Sequence, residues 1–376
     1  MKDRRSLDEK SINKIVIKVG TRLLTYETGK LNLRTIEKLV REMADLKNQG
    51  KDVILVSSGA VGGGIGRLGL HGKSLSIPER QAVAAIGQSL LIQFYEKIFS
   101  EYGHIVAQVL LTREDLEERT RYINSCNTLS HLLKFGAIPI VNENDTTSTE
   151  EIEFGDNDKL SALVATLIDA DLLIILTNTE GLYTVNPHLD DAATIIPFVD
   201  EITPEIKNAA GKTAEVLARG GMITKIEAAE IVMASGIDMV IAHGLQDNII
   251  RRILEGEKVG TFFDSQKSYL RSRKRWIAFA QKMKGALHVD PGAEAALIKE
   301  GKSLLPIGIT RIEGDFSKND VVSICGPSGR EIARGLTNYS SRDLNKITGY
   351  QSFEIKNILG YSGREEVIHR DNLVLC

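Results

Sequence analysis

Cysteine is scarce: only Cys126, Cys325 and Cys376 occur in 376 residues, far apart and without CxxC spacing. An odd, scattered set supports neither a disulfide framework nor a zinc site, so structural thiols are the default. No stretch stays apolar for the length a membrane span needs. The N-terminal MKDRRSLDEKSINK also lacks the apolar core of a secretory leader, so the chain is read as cytoplasmic. G-x-x-x-x-G-K-[ST] is missing, which excludes a P-loop phosphotransferase, and the protein-kinase motifs are missing too. Any phosphate chemistry must use another scaffold.

Hydrophobic residues make up 42% and charged residues 26%, close to the globular average, which argues against disorder or a fibrous repeat. The length exceeds what one hydrophobic core usually serves, so two domains are expected. Net charge is only −3 but unevenly spread. Residues 1–264 carry 29 basic and 38 acidic side chains, and residues 265–376 carry 18 and 12. A basic tail can attract phosphate backbones, so the two parts are candidates for different partners.

The first two-thirds alternates β-rich runs with amphipathic stretches. KIVIKVG is followed by RTIEKLVREMADLKNQG, then VILVSSG, then QAVAAIGQSLLIQFYEKIF, and the rhythm continues through IVAQVLL, AIPIVNEN, LLIILTN and MVIAHG. Near-continuous Val/Ile/Leu strands separated by helices predict a mainly parallel sheet covered on both faces, a three-layer αβα domain over 12–264. The basic DSQKSYLRSRKR region breaks the rhythm and reads as a linker over 265–277. Short alternating strands with Gly-Asp and Pro-Ser-Gly turn signals then predict a small β-rich domain over 278–376.

Several polar residues sit where an open parallel sheet binds its ligands, just beyond the strand carboxyl ends. Lys18 sits toward the end of KIVIKVG; taken alone it reads as a surface lysine, and its neighbours in the pattern have to overturn that. VSSGAVGGGIGRLG contains a literal G-x-G-x-x-G, but its first glycine comes several residues after the strand ends, which argues against a dinucleotide fingerprint. It reads as a flexible glycine-rich loop rooted at Ser58 and Gly59, able to bring backbone N–H groups to an anion. IVNENDTT places Asn142, Glu143, Asn144 and Asp145 at one strand end, and GDNDKLSAL places Asp156, Asn157 and Asp158 in the N-cap region of a helix. One of those three caps the helix, and the others exceed what capping needs. Together the clusters suit a small zwitterion, carboxylates for its ammonium and amides for its carboxylate. A calcium loop is the rival, without EF-hand spacing. Finally, ARGGMITK leads into a helix with Lys225 in its first turns, where a cation opposes the helix dipole unless an anion is also present.

KIVIKVGT, LVSSGAVGGG, VNENDT, GDNDKLSAL, LTNTEGLYT and GGMITK, in that order, resemble the amino acid kinase superfamily across nearly the whole chain. VDPGAEAALIKEGKSLLPIGI resembles a PUA domain, an RNA-binding-type module. The combination is similar to the branch that phosphorylates the side-chain carboxylate of L-glutamate with ATP, giving gamma-glutamyl phosphate at the first step of proline biosynthesis. The resemblance implies magnesium carried on the nucleotide, no protein-bound metal, a homo-oligomer and proline as a feedback inhibitor. It also implies site residues. Lys18 and Lys225 would neutralise the transferring phosphoryl, with Asp158 holding both lysines. Ser58, Asp145 and Asn157 would bind glutamate, with Asn142 and Asp156 as neighbours. Thr177, Asn178 and the segment Arg219, Gly220, Gly221, Met222, Ile223, Thr224 and Lys225 would form the nucleotide site, to which Lys18 also belongs. Two departures from the family pattern stand out. Asn178 replaces a familiar aspartate, and Arg219 and Ile223 replace a threonine and a serine. The competing readings are a kinase for another carboxylate or carbamate and an RNA-binding protein with a vestigial kinase body. Against the second stands the intact set of Lys18, Asp158 and Lys225, and an accessory role is favoured for the tail, which mixes acids with its bases and shows no aromatic-rich platform.

Overall fold

The structure, a computed structural model, describes residues 11–147, 157–185, 187, 190, 192–212, 221–265, 283–351, 354–361 and 363–375. The chain divides into two compact units, Met1–Tyr269 and Leu270–Cys376. Beyond Ser265, the segment read as a linker lies outside the described residues.

In the first unit the apolar runs form the strands β1 (Lys14–Val19), β2 (Asp52–Ser57), β3 (Val106–Leu111), β4 (Ile138–Glu143) and β5 (Leu172–Thr177). The short β6 (Phe198–Val199), β7 (Asp238–His243) and the short β8 (Thr261–Phe263) complete the sheet. Its order is β3-β4-β2-β1-β5-β7-β8-β6. Strands β1 to β5 and β7 are parallel, and β8 runs antiparallel to β7. The carboxyl ends of β1, β2, β4, β5 and β7 therefore share one edge.

The helices of this unit begin with α1 (Thr21–Leu24), α2 (Leu33–Asn48), α3 (Ala60–Leu68) and α4 (Ile77–Glu101). They continue with α5 (Arg113–Glu117), α6 (Arg119–Lys134), α7 (Asn157–Leu167), α8 (Pro204–Lys212), α9 (Met222–Ala234) and α10 (Ile249–Leu254). Local chemistry starts several of them. Asn32 accepts from the Thr35 backbone N–H ahead of α2, and Ser76 with Glu79 forms a capping box ahead of α4. Helix α10 is capped from a distance: Glu42 of α2 accepts from the Ile250 backbone N–H at 2.9 Å, and burial pushes its carboxyl pKa up.

Side-chain alternation decides which layer each strand residue faces. Ile15, Ile17, Val19, Val53, Leu55, Ile138 and Ile140 join one core cluster with Ile36, Leu39, Leu91, Tyr95 and Ile253 of α2, α4 and α10. The alternate positions, Lys18 among them, face α7 and α9. Helix α7 packs on β1, β2, β4 and β5, so it spans the place where the chain crosses from one half of the sheet to the other.

The glycine-rich run is not a loop. Gly59 takes the left-handed turn at φ +97°, and Ala60–Leu68 is helical. A Cβ on Gly64 would stand 2.0 Å from the Val83 carbonyl oxygen, and one on Gly87 would stand 1.7 Å from that of Ala60. These glycines serve the close crossing of α3 and α4, a use that glycine density alone does not separate from loop flexibility.

The second unit is built on β9 (Gly285–Val289), α11 (Pro291–Glu300), β10 (Ile309–Gly314), β11 (Val321–Cys325), β12 (Glu331–Leu336) and β13 (Leu373–Leu375). The sheet order is β10-β9-β11-β12-β13. Two short helices, α12 (Ser341–Ile347) and α13 (Ile355–Leu359), complete it. DPGAEAALIKEG folds as a helix because Asp290 accepts from the Ala293 backbone N–H at 2.7 Å, Pro291 opens the first turn and Gly301 closes it in the left-handed conformation. The Pro-Ser-Gly signal does turn β11 into β12, with the Gly326 backbone N–H donating to the Arg330 carbonyl. A separate apolar core of this unit includes Leu287, Leu297, Val322 and Ile324.

Candidate active site

Helix α7 begins at the shared strand edge, and its first two residues are hubs of two adjoining clusters. Asp158 is fully buried. Its Oδ1 lies 2.5 Å from Lys18 Nζ at the end of β1, and its Oδ2 lies 2.9 Å from Lys225 Nζ in the first turns of α9. The Thr224 hydroxyl stands 3.0 Å from the same Oδ2 and 2.8 Å from the Gly221 carbonyl. Lys18 and Lys225 are only 3% and 4% exposed, so neither is a solvated surface lysine.

Two ammonium groups flank one carboxylate, and the N-termini of α7 and α9 add positive dipole ends at the same place. Removing such charges from water is costly unless each is paired, and the carboxylate pairs both lysines at once. The conflict between Lys225 and its helix dipole is thus resolved by Asp158 within the chain. Paired ammonium groups beside helix N-termini suit an anion that accumulates charge as it reacts.

Asn157 organises the second cluster. Its Nδ2 lies 3.1 Å from the Ser57 carbonyl, 2.9 Å from Ser58 Oγ and 2.8 Å from Asn142 Oδ1. Two amide hydrogens face three acceptors, so the amide orientation is determined and one acceptor stays open to another donor. Asn142 Oδ1 also accepts from the Glu143 backbone N–H. Asn157 Oδ1 is buried and has no hydrogen-bond partner among the described residues, so this acceptor still calls for a donor.

Other predicted residues are placed with varying closeness to these hubs. Asp145 lies half-buried in the turn after β4, at the same edge. Thr177 ends β5 buried, its Oγ1 3.3 Å from the exposed Asn178 Oδ1, and its carbonyl accepts from the Gly244 backbone N–H. Gly221 caps α9, Met222 is buried and Ile223 is exposed. Asp156, Arg219 and Gly220 lie outside the described residues. The resemblance puts Thr224 in the nucleotide segment without its contact to Asp158, and the sequence does not single out the buried Ser57, Gln88 and Tyr95 beside Asn142. Gln88 did leave a signal, being a polar residue on the stripe Ala84, Gly87, Gln88, Leu91 and Tyr95 that α4 buries.

Residues 13–243 match the amino acid kinase family. The chain belongs to that family. Residues 285–359 match the PUA domain. Glutamate 5-kinase of Moorella thermoacetica is 53% identical over 96% of this chain and 96% of its own length. That of Caldanaerobacter subterraneus subsp. tengcongensis is 54% identical over 96% and 97%, and that of Geobacter sulfurreducens 46% identical over 97% and 98%. Among the described residues no helix is long and apolar enough to cross a membrane.

Proposed function

We propose that this chain phosphorylates the side-chain carboxylate of L-glutamate with ATP, the first step of proline biosynthesis, as the names of its full-length relatives indicate. Residues 12–264 are assigned to catalysis and 278–376 to a PUA-like accessory unit; RNA plays no part in the reaction. The observation that best supports this reading is the adjacency of Asp158 and Asn157. One helix start joins a phosphoryl-stabilising pair of lysines to a polar pocket.

In this reading a glutamate γ-carboxylate oxygen attacks the γ-phosphorus of ATP, the bond from that phosphorus to the β,γ-bridging oxygen breaks, and ADP departs. The attacking carboxylate is already ionised, so no general base is needed. Lys18 and Lys225 balance charge on the transferring phosphoryl and the leaving diphosphate, while Asp158 fixes the spacing of their ammonium groups. Ser58, Asn142, Asp145, Asn157 and Asp156 hold glutamate, with Asn157 Oδ1 an acceptor for its ammonium. Thr177, Asn178 and the segment 219–225 hold the nucleotide. Magnesium is assigned to the nucleotide substrate, as the family resemblance implies, and Asp158 is assigned to the two ammonium groups it pairs.

Purified protein with Mg-ATP and L-glutamate is expected to form an acyl phosphate that hydroxylamine traps. Aspartate is too short and N-acetylglutamate has lost its ammonium charge, so both should be poor substrates. Equal hydroxamate yield from N-acetylglutamate would overturn the substrate assignment. Proline shares the α-carboxylate and amino nitrogen of glutamate, so it should inhibit, with relief at excess glutamate. Initial rates at millimolar proline check this, and full insensitivity would remove the regulatory claim alone.

A further inference from the structure

Helix α4 supplies no residue to either hub, yet it forms the wall behind the polar pocket. Tyr95 is 2% exposed, and its hydroxyl lies 2.9 Å from Ser57 Oγ. Ser57 Oγ in turn donates to the Ser58 carbonyl at 3.1 Å. A serine hydroxyl has one hydrogen, and this one is committed to Ser58, so the Tyr95 O–H must be the donor to Ser57. Burial pushes the Tyr95 pKa up to about 12, which keeps that hydrogen in place throughout the neutral range. The chain Tyr95 O–H, Ser57 O–H, Ser58 C=O ends on the backbone that carries Ser58 Oγ, one of the three acceptors of Asn157. The Ser57 carbonyl is another.

Alternation explains the meeting: Val53, Leu55 and Ser57 point to the α4 layer, as do Ile138, Ile140 and Asn142. A small cavity between them is lined by Ser57, Gln88, Tyr95, Gln108, Ile140 and Asn142. Gln88 reaches the Glu143 carbonyl at 3.4 Å. Apolar packing would fill this space without a directed chain of hydroxyls. A buried tyrosine whose oxygen spends its hydrogen on the strand end beneath the pocket instead sets where two of the pocket's oxygens stand.

We propose that Tyr95, acting through Ser57, is a positioning residue for glutamate binding: it holds the Ser57–Ser58 backbone so that Asn157 keeps the orientation that presents Oδ1 to the substrate. The inference rests on the reading of Ser58, Asn142 and Asn157 as the glutamate pocket. The test is steady-state kinetics of the full chain with Tyr95→Phe, Ser57→Ala, the double variant and Asn157→Ala. Loss of one directed hydrogen bond, worth about 0.5–1.5 kcal/mol, corresponds to a rise of roughly two- to tenfold in KM for glutamate. The expected result is that rise in both single variants and no further rise in the double variant, since both break one chain. KM for ATP and kcat should stay within about twofold. Ser57→Ala is the smaller perturbation and keeps the test open if Tyr95→Phe folds poorly. A lowered Tm with unchanged KM for glutamate in both single variants, while Asn157→Ala raises it, overturns the positioning role and leaves the pocket standing. An unchanged KM in Asn157→Ala as well overturns the pocket and the proposal together.

Discussion

Lys225→Ala is expected to lower kcat about 10²–10³-fold, the usual scale for removing one preorganised charge-stabilising donor, and Lys18→Ala should behave alike. Each ammonium is buried and held within 2.9 Å of Asp158, so its charge acts in a site from which water is largely absent. There it is worth far more than at the surface. Because Asp158 retains one lysine in either variant, the carboxylate is not left unpaired and the fold should survive, which circular dichroism would check. Binding of glutamate should change little, since its pocket is organised by Asn157. A loss below tenfold in both variants would show that the lysines do not face the transferring group.

Gly87→Ala should cost about 3 kcal/mol or more of stability. Overpacking a core usually costs about 1–3 kcal/mol, and the Cβ added here meets a backbone carbonyl at 1.7 Å that no rotamer change relieves. At roughly 2–4 °C per kcal/mol for a domain of this scale, Tm should fall by about 6–12 °C. Activity should fall too, because the carbonyl displaced belongs to Ala60, two residues after Ser58. Gly211→Ala is the control: that glycine is helical with no described residue near its Cβ position, and the change should be neutral or stabilising by about 0.5–1 kcal/mol. Equal melting temperatures for the two variants would refute the account of α3 against α4.

The strands were legible because a parallel sheet buried on both faces demands nearly continuous apolar runs, and KIVIKVG, VILVSSG, AIPIV and LLIILTN supply them. The clustering of the candidate residues was legible where polarity broke such runs at a strand end, as at Lys18 and Asn142, or exceeded what a cap needs, as at Asn157 and Asp158. GGGIG misled because glycine serves loops and close helix crossings alike, and only the partner helix distinguishes them. Tyr95 and Ser57 were invisible because an aromatic residue on a buried helical stripe has the same pattern whether its hydroxyl is directed or incidental.

By itself the sequence determined the αβα alternation, the change of character after Phe263, and which residue types stand at the strand ends. These follow from local periodicity and composition, which the chain carries wherever it folds. The family resemblance implied that Asp158 holds Lys18 and Lys225, 207 positions apart, but only the tertiary structure gave each lysine its own oxygen of that carboxylate. It alone decided that Asn157 faces three acceptors at once, and that α4 reaches under the pocket through Tyr95. Such meetings depend on strand order and on which face alternation presents to which helix, and neither is encoded in any one segment. The physical reason is that a carboxylate or an amide acquires its role from the partners brought within about 3 Å of it, and those partners come from strands and helices that are neighbours only after the sheet has formed.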